Sequence, residues 1–376
     1  MAKGNRESSI YKRADGRWTA QVALPGDSRI KRRRKYLYGK SREDVRRKQV
    51  EAQKALQDVG HIAPERLTVS AYMRSWLEHR KHELSWQTWR RYEQLFRAHI
   101  EPTLGSVRIN RLRPDQLRDL YSSKLSEGLA AETVRHIHKV IRAALNQAER
   151  EDLVVKNVCR QVKPPRKQRY EINPLSPDET RTLRETMRGH PDEALYVLAL
   201  STGMRQGEIL GLRWRDCNLD NGYISVNRSL VFVVNDWYLQ EPKTASSRRR
   251  IQLANEAVDA FGPHLRSQLE KRMALGEAWQ DNDLVFPTDI GTPRRGANLV
   301  YRSFRPLLER AGIRRIRFHD LRHTAATLLL GEGVHPKVVS EMLGHSSVQL
   351  TLDTYSHVTP TMQQEAATKM NDILSG

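Results

Sequence analysis

The amino-acid sequence predicts a multidomain, mainly helical protein, and three observations carry that prediction. The chain has 376 residues, which suits two or three domains of about 150 residues each. Apolar residues alternate with polar ones near the N-terminus and recur at helical spacing over residues 67–162. A proline-rich segment, residues 163–174, separates this stretch from the remaining half. We therefore expect a small α+β domain, an all-α four-helix domain and a mixed, mainly α domain with a small antiparallel sheet.

The first domain, residues 1–64, is expected to hold a three-stranded sheet and one helix. Asp15-Gly16 is a type I′ hairpin signal between two alternating segments. Ser41, with Asp44 three residues later, predicts the start of a helix that ends at Gly60. The expected strands are Ile10–Arg13, Arg17–Leu24 and Ile30–Tyr38.

The second domain, residues 65–165, reads as four helices with a stripe of Trp and Tyr that is expected to form the core. Ser85 is the expected cap of the second helix, which should stop before Pro102. Pro114 suits the first turn of the third helix. The other two helices are expected over Val69–Leu84 and from Ala130 to about Glu151.

A linker over residues 166–174 leads to the third domain, residues 175–376. Its first helix has a strong start signal, because Ser176, Pro177 and Glu179 supply a cap, a first-turn proline and a capping-box partner. Short strands are expected near Tyr223–Val226, Ser229–Val234, Trp237–Gln240 and Arg249–Leu253, followed by helices.

The charge of the chain points to a polyanionic partner. Lys and Arg number 64 against 44 Asp and Glu, for a net charge of +20. Residues 1–60 alone carry 17 basic and 7 acidic residues, and Lys31–Lys35 would repel one another within a strand unless a polyanion neutralised them. Nucleic acid is the expected partner, although a solvated charged surface is the usual explanation of an isolated charge run. The candidate nucleic-acid contacts are Arg17, Arg29, Lys31, Arg32, Arg33, Arg34, Lys35, Arg90, Arg91, Arg135 and Lys139.

Other broad classes fit poorly. The longest apolar run, Ala194–Leu200, is far shorter than the roughly 20 residues of a membrane span. The N-terminal residues are polar and basic, unlike a signal peptide. Cys159 and Cys217 form neither a metal-binding spacing nor a disulfide framework. These features predict a cytoplasmic, nucleoid-associated protein with no membrane partner.

The third domain holds basic and imidazole residues in unusual local contexts, but no phosphate-binding glycine loop and no metal-ligand cluster. Each of these residues alone has an ordinary explanation, such as a surface ion pair or a packing tyrosine. Arg205 follows Thr-Gly-Met and opens a helix, with Glu208 three residues later on the same face. The others are Lys243 in Pro-Lys-Thr, His319 and Arg322 in His-Asp-Leu-Arg-His, His345 in Leu-Gly-His, and Tyr355 in Asp-Thr-Tyr.

Taken together and in this order, these motifs resemble the tyrosine recombinase (phage integrase) family. That family's series of Arg, Lys, His-x-x-Arg, His or Trp, and Tyr has a match at every position over about Leu175–Val358. Upstream, the resemblance is to lambda-like integrases, in which a small arm-type DNA-binding domain and a helical core-site-binding domain precede the catalytic domain.

The resemblance implies a reaction and a role for each matched residue. Tyr355 would attack a DNA phosphodiester to form a 3′-phosphotyrosyl link and release a 5′-hydroxyl, without cofactor, metal or ATP. Arg205, Arg322 and His345 would bind the non-bridging oxygens. Lys243 would protonate the leaving oxygen, and His319 would help to take the proton of Tyr355. Glu208 and His323 would orient Arg205 and the phosphate site respectively.

The family also implies a homotetramer on double-stranded DNA that carries core and arm sites. A host DNA-bending factor and an excisionase are open as further partners. Met362, Ala366, Met370 and Ile373 or Leu374 form a helical stripe that could dock on its own domain or on a neighbouring protomer. Three alternatives stay open: a Xer-like resolvase, which would lack the first domain, a type IB topoisomerase, and a catalytically silent DNA-binding protein.

Overall fold

The computed structural model describes residues 10–23, 34–59, 66–167, 173–233, 236–241, 248–355, 367–368 and 370–375. The chain divides into two compact units, Met1–Arg169 and Tyr170–Gly376. Within the described residues it is mostly helical with small antiparallel sheets, as the sequence predicts. Whether the first unit works as two separate DNA-binding domains stays a prediction.

The N-terminal part of the first unit is an antiparallel sheet of β1 (Ile10–Lys12), β2 (Trp18–Ala23) and β3 (Arg34–Gly39), in that order. Helix α1 (Arg42–Val59) follows, and the Ser41 hydroxyl accepts the Asp44 N–H at 3.1 Å, as expected for a cap. Val22, Leu37 and Ala52 form the buried cluster between sheet and helix. Side chains alternate between the two faces of each strand, so one face of the sheet packs on α1 and the other faces away from α1.

The turn between β1 and β2 differs from the predicted type I′ turn. Gly16 has φ = 80°, but Asp15 does not adopt the positive φ that a type I′ turn requires at both central residues. Gly16 N–H binds Arg13 C=O at 3.0 Å, and Arg13 N–H binds Arg17 C=O at 2.8 Å. The connection is thus a three-residue loop that ends in a left-handed glycine.

The rest of the first unit packs helices around one apolar core. They are α2 (Val69–Arg80), α3 (Trp86–Leu95), a π-helical turn (Phe96–Ile100), α4 (Glu101–Leu104), α5 (Pro114–Ser126) and α6 (Ala131–Arg150). Tyr72 and Trp76 are buried, and Trp76 stacks on Tyr92 with 6.1 Å between ring centroids, so these aromatics are core residues as predicted. Ser85 precedes α3, but its hydroxyl pairs with Thr88 Oγ1 at 2.9 Å and caps no backbone N–H.

The helix that begins with α3 does not stop before Pro102. The π-helical turn lets the Glu101 N–H bind Phe96 C=O, five residues back, and a helical turn then runs over Glu101–Leu104. Pro102 stands in the first turn of that segment, where a missing N–H leaves no hydrogen bond unmade. The wide turn therefore carries the helix past a proline that the sequence suggested as its end.

The second unit holds helices and two small sheets around a larger core. Its strands are β4 (Cys217–Asn218), β5 (Tyr223–Val226), β6 (Ser229–Val233), β7 (Asp236–Gln240) and β8 (Arg249–Gln252). They form a sheet in the order β4-β5-β8 and a separate β6-β7 hairpin, where the sequence predicted one sheet. Its helices are α7 (Pro177–Met187), α8 (Glu193–Thr202), α9 (Gln206–Leu210), α10 (Asn255–Leu275), α11 (Gly296–Leu299), α12 (Arg305–Arg310), α13 (Asp320–Gly331), α14 (Pro336–Leu343) and α15 (Val348–Tyr355).

Two local features of this unit match their sequence signals. The capping box at α7 is complete, because Ser176 Oγ accepts Glu179 N–H at 3.1 Å and Glu179 Oε2 accepts Ser176 N–H at 2.8 Å. Near the C-terminus, Met370, Ile373 and Leu374 are exposed on a short helical segment. Met362 and Ala366 of the predicted stripe lie outside the described residues.

Candidate active site

The junction between α8 and α9 presents Arg205. Helix α8 ends at Gly203, whose φ of 60° turns the chain so that α9 opens at Arg205. A Cβ at Gly203 would lie 2.5 Å from Leu343 Cδ2, so this turn requires glycine for space as well as for φ. Arg205 keeps 41% of its side chain exposed, which leaves the guanidinium accessible to a ligand.

Glu208 holds Arg205 as the sequence suggested. Its carboxylate accepts Arg205 Nη1–H at 2.8 Å and the Arg205 backbone N–H at 3.0 Å. Glu208 is buried, which raises the pKa of a carboxyl, but its hydrogen bonds to Arg249 and Arg205 outweigh burial and the pKa is lowered. It is therefore a charged anchor inside the domain.

Arg322 lies on α13 and is almost fully buried, with 3% of its surface exposed. Its Nη1 donates to Gly203 C=O at 2.8 Å. Its Nη2 has no hydrogen-bond partner among the described residues. Burial, and then repulsion from Arg205, lower the pKa of Arg322 to about 9, so it remains charged at neutral pH. A buried guanidinium with an unused donor is a costly arrangement that an anionic ligand would satisfy.

His345 follows the glycine that ends α14. Gly344 has φ = 67°, and its C=O accepts Arg205 Nη2–H at 3.3 Å. The His345 ring is fixed by a 2.7 Å hydrogen bond between Nδ1 and Thr351 Oγ1. Burial, followed by the charges of Arg322 and Arg205, lowers its pKa to about 4, so the neutral ring can offer one N–H to a ligand.

Tyr355 ends α15 and is 3% exposed. Its hydroxyl pairs with His323 Nδ1 at 2.9 Å. The family resemblance predicted that His319 helps to accept the proton of Tyr355, but in this structure the imidazole at hydrogen-bond distance from the Tyr355 hydroxyl is that of His323. His319 stands one turn earlier, at the start of α13, and its ring meets that of His323 edge to face at a centroid distance of 5.0 Å.

The pKa shifts of this pair leave both groups uncharged at neutral pH. Burial raises the pKa of Tyr355 to about 12, with Arg322 acting in the opposite direction. Burial and the neighbouring His319 lower the pKa of His323 to about 4. The pKa of His319 is also lowered, mainly by burial and then by Arg322. The tyrosine is thus a poor nucleophile alone, and the neutral imidazole beside it offers an unprotonated nitrogen to its hydroxyl.

Sequence reasoning missed one residue of this cluster, Arg249. Its side chain on β8 is 6% exposed and pairs with Glu208, Nη2 to Oε2 at 2.8 Å. It is the middle of three consecutive arginines, a run that reads as surface charge. A signal was present, because the alternation of β8 places Arg249 on the opposite face from Arg248 and Arg250. Lys243, predicted upstream of this strand, lies outside the described residues.

The assembled residues combine an anion site with a nucleophile. Arg205, Arg249 and Arg322 carry three positive charges against the single carboxylate of Glu208. The excess charge, the unused donor of Arg322 and the imidazole of His345 suit a phosphate, and the Tyr355 hydroxyl lies in the same cluster as a candidate nucleophile. Among the described residues, no group of three His, Cys, Asp or Glu side chains could hold a metal ion.

The predicted DNA contacts differ in their availability. Arg17 is exposed beside Asp15, and Arg90, Arg91 and Lys139 are exposed on the helical part of the first unit. Arg135 is only partly exposed and donates to Pro165 C=O at 2.8 Å. For Arg34 and Lys35 only the backbone, on β3, is described. Arg29, Lys31, Arg32 and Arg33 lie outside the described residues.

No helix in the described part of the chain combines the length and apolar character needed to cross a membrane.

Comparison with known proteins identifies the family. Residues 173–362 match the Phage integrase family, and residues 68–125 match the N-terminal SAM-like domain of phage integrases. The chain is 28% identical over 389 residues to a tyrosine recombinase XerC-like protein of Caldanaerobacter subterraneus subsp. tengcongensis, with 98% of this chain and 99% of that protein covered.

Solved structures share the fold. The Tn1549 transposon integrase in complex with a circular intermediate DNA superimposes with a TM-score of 0.69 at 22% identity, over 81% of this chain and 99% of that chain. A lambda integrase tetramer bound to a Holliday junction superimposes with a TM-score of 0.57 at 17% identity, over 92% and 97%. The chain belongs to the phage integrase family, and it is a tyrosine recombinase, an enzyme that transfers DNA strands in site-specific recombination.

Proposed function

We propose that this chain is the integrase of a temperate phage or integrative element and recombines attachment sites through a 3′-phosphotyrosyl intermediate on Tyr355. The observation that carries the proposal is the Nη2 of buried Arg322, which has no hydrogen-bond partner in the described part of the chain and lies in the same cluster as Arg205 and Tyr355. Burying a guanidinium with an unused donor costs stability, and a bound phosphate would recover it. A nucleophile next to a phosphate site is what transesterification requires.

Attack on a phosphodiester builds negative charge on the non-bridging oxygens. Arg205 and Arg322 are the donors that would stabilise it, with a third hydrogen bond from His345. Donors already in place are commonly worth about 3–4 kcal/mol each in the transition state. Because the bond energy is retained in the phosphotyrosyl link, a second 5′-hydroxyl can reverse the reaction without ATP or metal.

Two proton transfers complete the reaction. The distance of 2.9 Å between His323 Nδ1 and Tyr355 Oη supports His323 as the group that accepts the phenolic proton. His319, in ring contact with His323, would then act through it. Lys243 is the proposed acid for the leaving 5′-oxygen, on its sequence context alone, since it lies in the segment between β7 and β8 that the structure does not describe.

The N-terminal sheet is proposed to bind arm-type DNA sites. The face opposite α1 carries exposed Tyr11, Tyr36 and Tyr38, and the guanidiniums of Arg13 and Arg17 lie 5.7 Å and 5.9 Å from the Tyr38 ring centroid. Exposed tyrosines and arginines on one sheet face suit contact with phosphates and base edges. The strongly basic composition of residues 1–60 supports the same function.

The helical part of the first unit is proposed to bind the core site. Arg90 lies over the Trp86 ring at 4.8 Å, and Arg91 and Lys139 are exposed. The match to the SAM-like domain of phage integrases over residues 68–125 supports this role. The DNA-bound Tn1549 and lambda integrases, the latter a tetramer, support binding as a homotetramer to DNA. A DNA-bending factor and an excisionase are proposed as accessory proteins by family resemblance only.

The direct test is to trap covalent protein–DNA adducts on denaturing gels. Wild type and Tyr355→Phe would be incubated, without metal, with DNA fragments that flank the gene, and the adduct ends would be sequenced. We expect an adduct at one discrete position with wild type and none with Tyr355→Phe, which should bind DNA with unchanged affinity. An adduct that survives Tyr355→Phe would exclude Tyr355 as nucleophile.

The same experiment separates the alternatives. Adducts scattered along the fragments would favour the topoisomerase activity. Tight binding without any adduct on fragments that contain a functional attachment site would favour a DNA-binding protein without catalysis.

A further inference from the structure

We propose that Arg249 is a positioning residue that aligns Arg205 and His345 around the scissile phosphate. The inference rests on the proposed function, because it concerns the rate of attack at that site. Arg249 itself is 6% exposed on its side chain, so it acts through its neighbours. Two separate contacts of its guanidinium, with Glu208 and with Met342 C=O, both affect the position of Arg205.

The first contact fixes Glu208. Arg249 Nη2 lies 2.8 Å from Oε2 and Nη1 lies 3.4 Å from Oε1. The opposite donors on this carboxylate are Nη1 and the backbone N–H of Arg205. Since the Glu208 side chain is 7% exposed, water cannot easily replace these partners. The orientation of Glu208, and through it that of the Arg205 guanidinium, depends on Arg249.

The second contact fixes the end of α14. Arg249 Nε donates to Met342 C=O at 2.6 Å, one of the carbonyls that a helix end leaves without an internal partner. The next turn runs through Gly344, where an added Cβ would lie 2.9 Å from Arg249 Nη1. Gly344 C=O accepts Arg205 Nη2–H, and His345 follows directly. Arg249 thus fixes the backbone at the end of α14, which binds Arg205 through Gly344 C=O and carries His345.

Lysine cannot reproduce these contacts. The planar guanidinium donates in fixed directions to Glu208 and Met342 simultaneously, whereas an ammonium on a flexible stem holds one geometry poorly. Arg249→Lys should keep the charge of the cluster while loosening Arg205 and His345. A displacement of the order of 1 Å at a catalytic group can reduce a rate by about 100-fold.

The experiment compares Arg249→Lys with Arg213→Lys in the full-length chain. Arg213 forms another largely buried ion pair of the same unit, with Asp216 at 3.0 Å, and the proposed mechanism does not use it. Single-turnover adduct formation and DNA affinity would be measured on a duplex that carries the site found by adduct sequencing. The Tm of each protein variant would be measured without DNA. We expect Arg249→Lys to cleave about 10- to 100-fold more slowly, with DNA affinity within about threefold of wild type. Arg213→Lys should lower the Tm of the protein without lowering the rate of adduct formation per folded molecule.

A second substrate separates positioning from general destabilisation. A methylphosphonate at the scissile position removes the negative charge that Arg205 helps to neutralise, so the ratio of wild-type to Arg249→Lys rates should fall to below about threefold. An equal deficit on both substrates, or a rate equal to that of Arg213→Lys, would overturn the role of Arg249. Failure of wild type to form any adduct would instead refute the proposed function.

Discussion

The hydrogen bond between His323 and Tyr355 determines how the reaction should respond to pH. Tyr355, with its pKa raised to about 12, remains protonated at neutral pH, and His323, with its pKa lowered to about 4, remains neutral. For Nδ1 to accept the phenolic proton, the ring must carry its own proton on Nε2. The charged or titratable groups that face His323 are His319, Asp320, Arg317 and Arg322, with His345 across the site.

We therefore predict a bell-shaped pH dependence of kcat/KM. Activity should rise with pH as His323 loses its proton near pH 4, and fall as buried Arg322 loses its charge near pH 9. His323→Gln should slow adduct formation about 100-fold at pH 7 and make the rate climb about tenfold per pH unit up to pH 9, because tyrosinate then becomes the nucleophile. The measurement is single-turnover adduct formation at subsaturating enzyme concentration, which reports kcat/KM, from about pH 3.5 to 10.

His319→Gln is the matched control for that prediction. It changes the imidazole one turn earlier on the same helix and leaves the contact between His323 and Tyr355 in place. Its rate should keep the shallow dependence of wild type between pH 6 and 8. If His319→Gln shows the steep dependence and His323→Gln does not, then His319 accepts the proton, as the sequence suggested.

At the scale of elements, the end of α8 is the structural feature on which the site depends most. Gly203 has φ = 60°, its C=O accepts a hydrogen bond from Arg322, and a Cβ added to it would lie 2.5 Å from Leu343 Cδ2 of α14. Gly203→Ala should lower the free energy of unfolding by about 2–4 kcal/mol, from left-handed strain plus overlap with Leu343. Gly189→Ala is the control, because Gly189 also has positive φ (70°) but nothing lies within 4 Å of an added Cβ.

Gly189→Ala should lower the free energy of unfolding by only about 1–2 kcal/mol, because it introduces left-handed strain without a steric overlap. Urea denaturation of both variants measures the difference. Equal losses would mean that Leu343 moves aside freely and that the junction between α8 and α14 is not tightly packed.

Elements with local signals were predictable from the sequence, and those set by distant contacts were not. The capping box of Ser176 and Glu179 and the strands flanking Asp15-Gly16 were readable because the partners lie within a few residues. The continuation of the helix past Pro102 was not readable, since it depends on a π-helical turn that the surrounding core stabilises.

The candidate site shows the same division. The matching residue types marked Arg205, Arg322, His345 and Tyr355, but residue types carry no information on the distances between them. The contacts that assemble the site span 139 residues from Arg205 to Gly344 and 119 from Arg322 to Gly203. Which histidine meets Tyr355 depends on how α15 packs on α13, over 32 residues. Such pairings are fixed by tertiary packing, and no local pattern encodes them.

For the whole molecule, charge and chemistry are divided along the chain. Residues 1–60 hold a net charge of +10, half the total, from 17 basic and 7 acidic residues, while the candidate active site lies entirely in the unit Tyr170–Gly376. On the proposed arm-binding function, the N-terminal segment contributes binding energy at sites other than the one that is cut. Loss of that segment should weaken binding through phosphates without changing the chemistry.

Deletion of residues 1–64 should therefore spare cleavage and impair complete recombination. Adduct formation on a short core-site duplex should stay within about threefold of the full-length rate, because Arg205, Arg322 and Tyr355 are untouched. Recombination between plasmids with complete attachment sites should fall by at least about tenfold, and the slope of log K against log salt on long DNA should become shallower by about one for each phosphate that the shortened protein no longer neutralises. Replacing Tyr11, Tyr36 and Tyr38 with alanine in the full-length chain should reproduce part of the recombination defect. Unchanged recombination after the deletion would show that residues 1–64 bind no arm site.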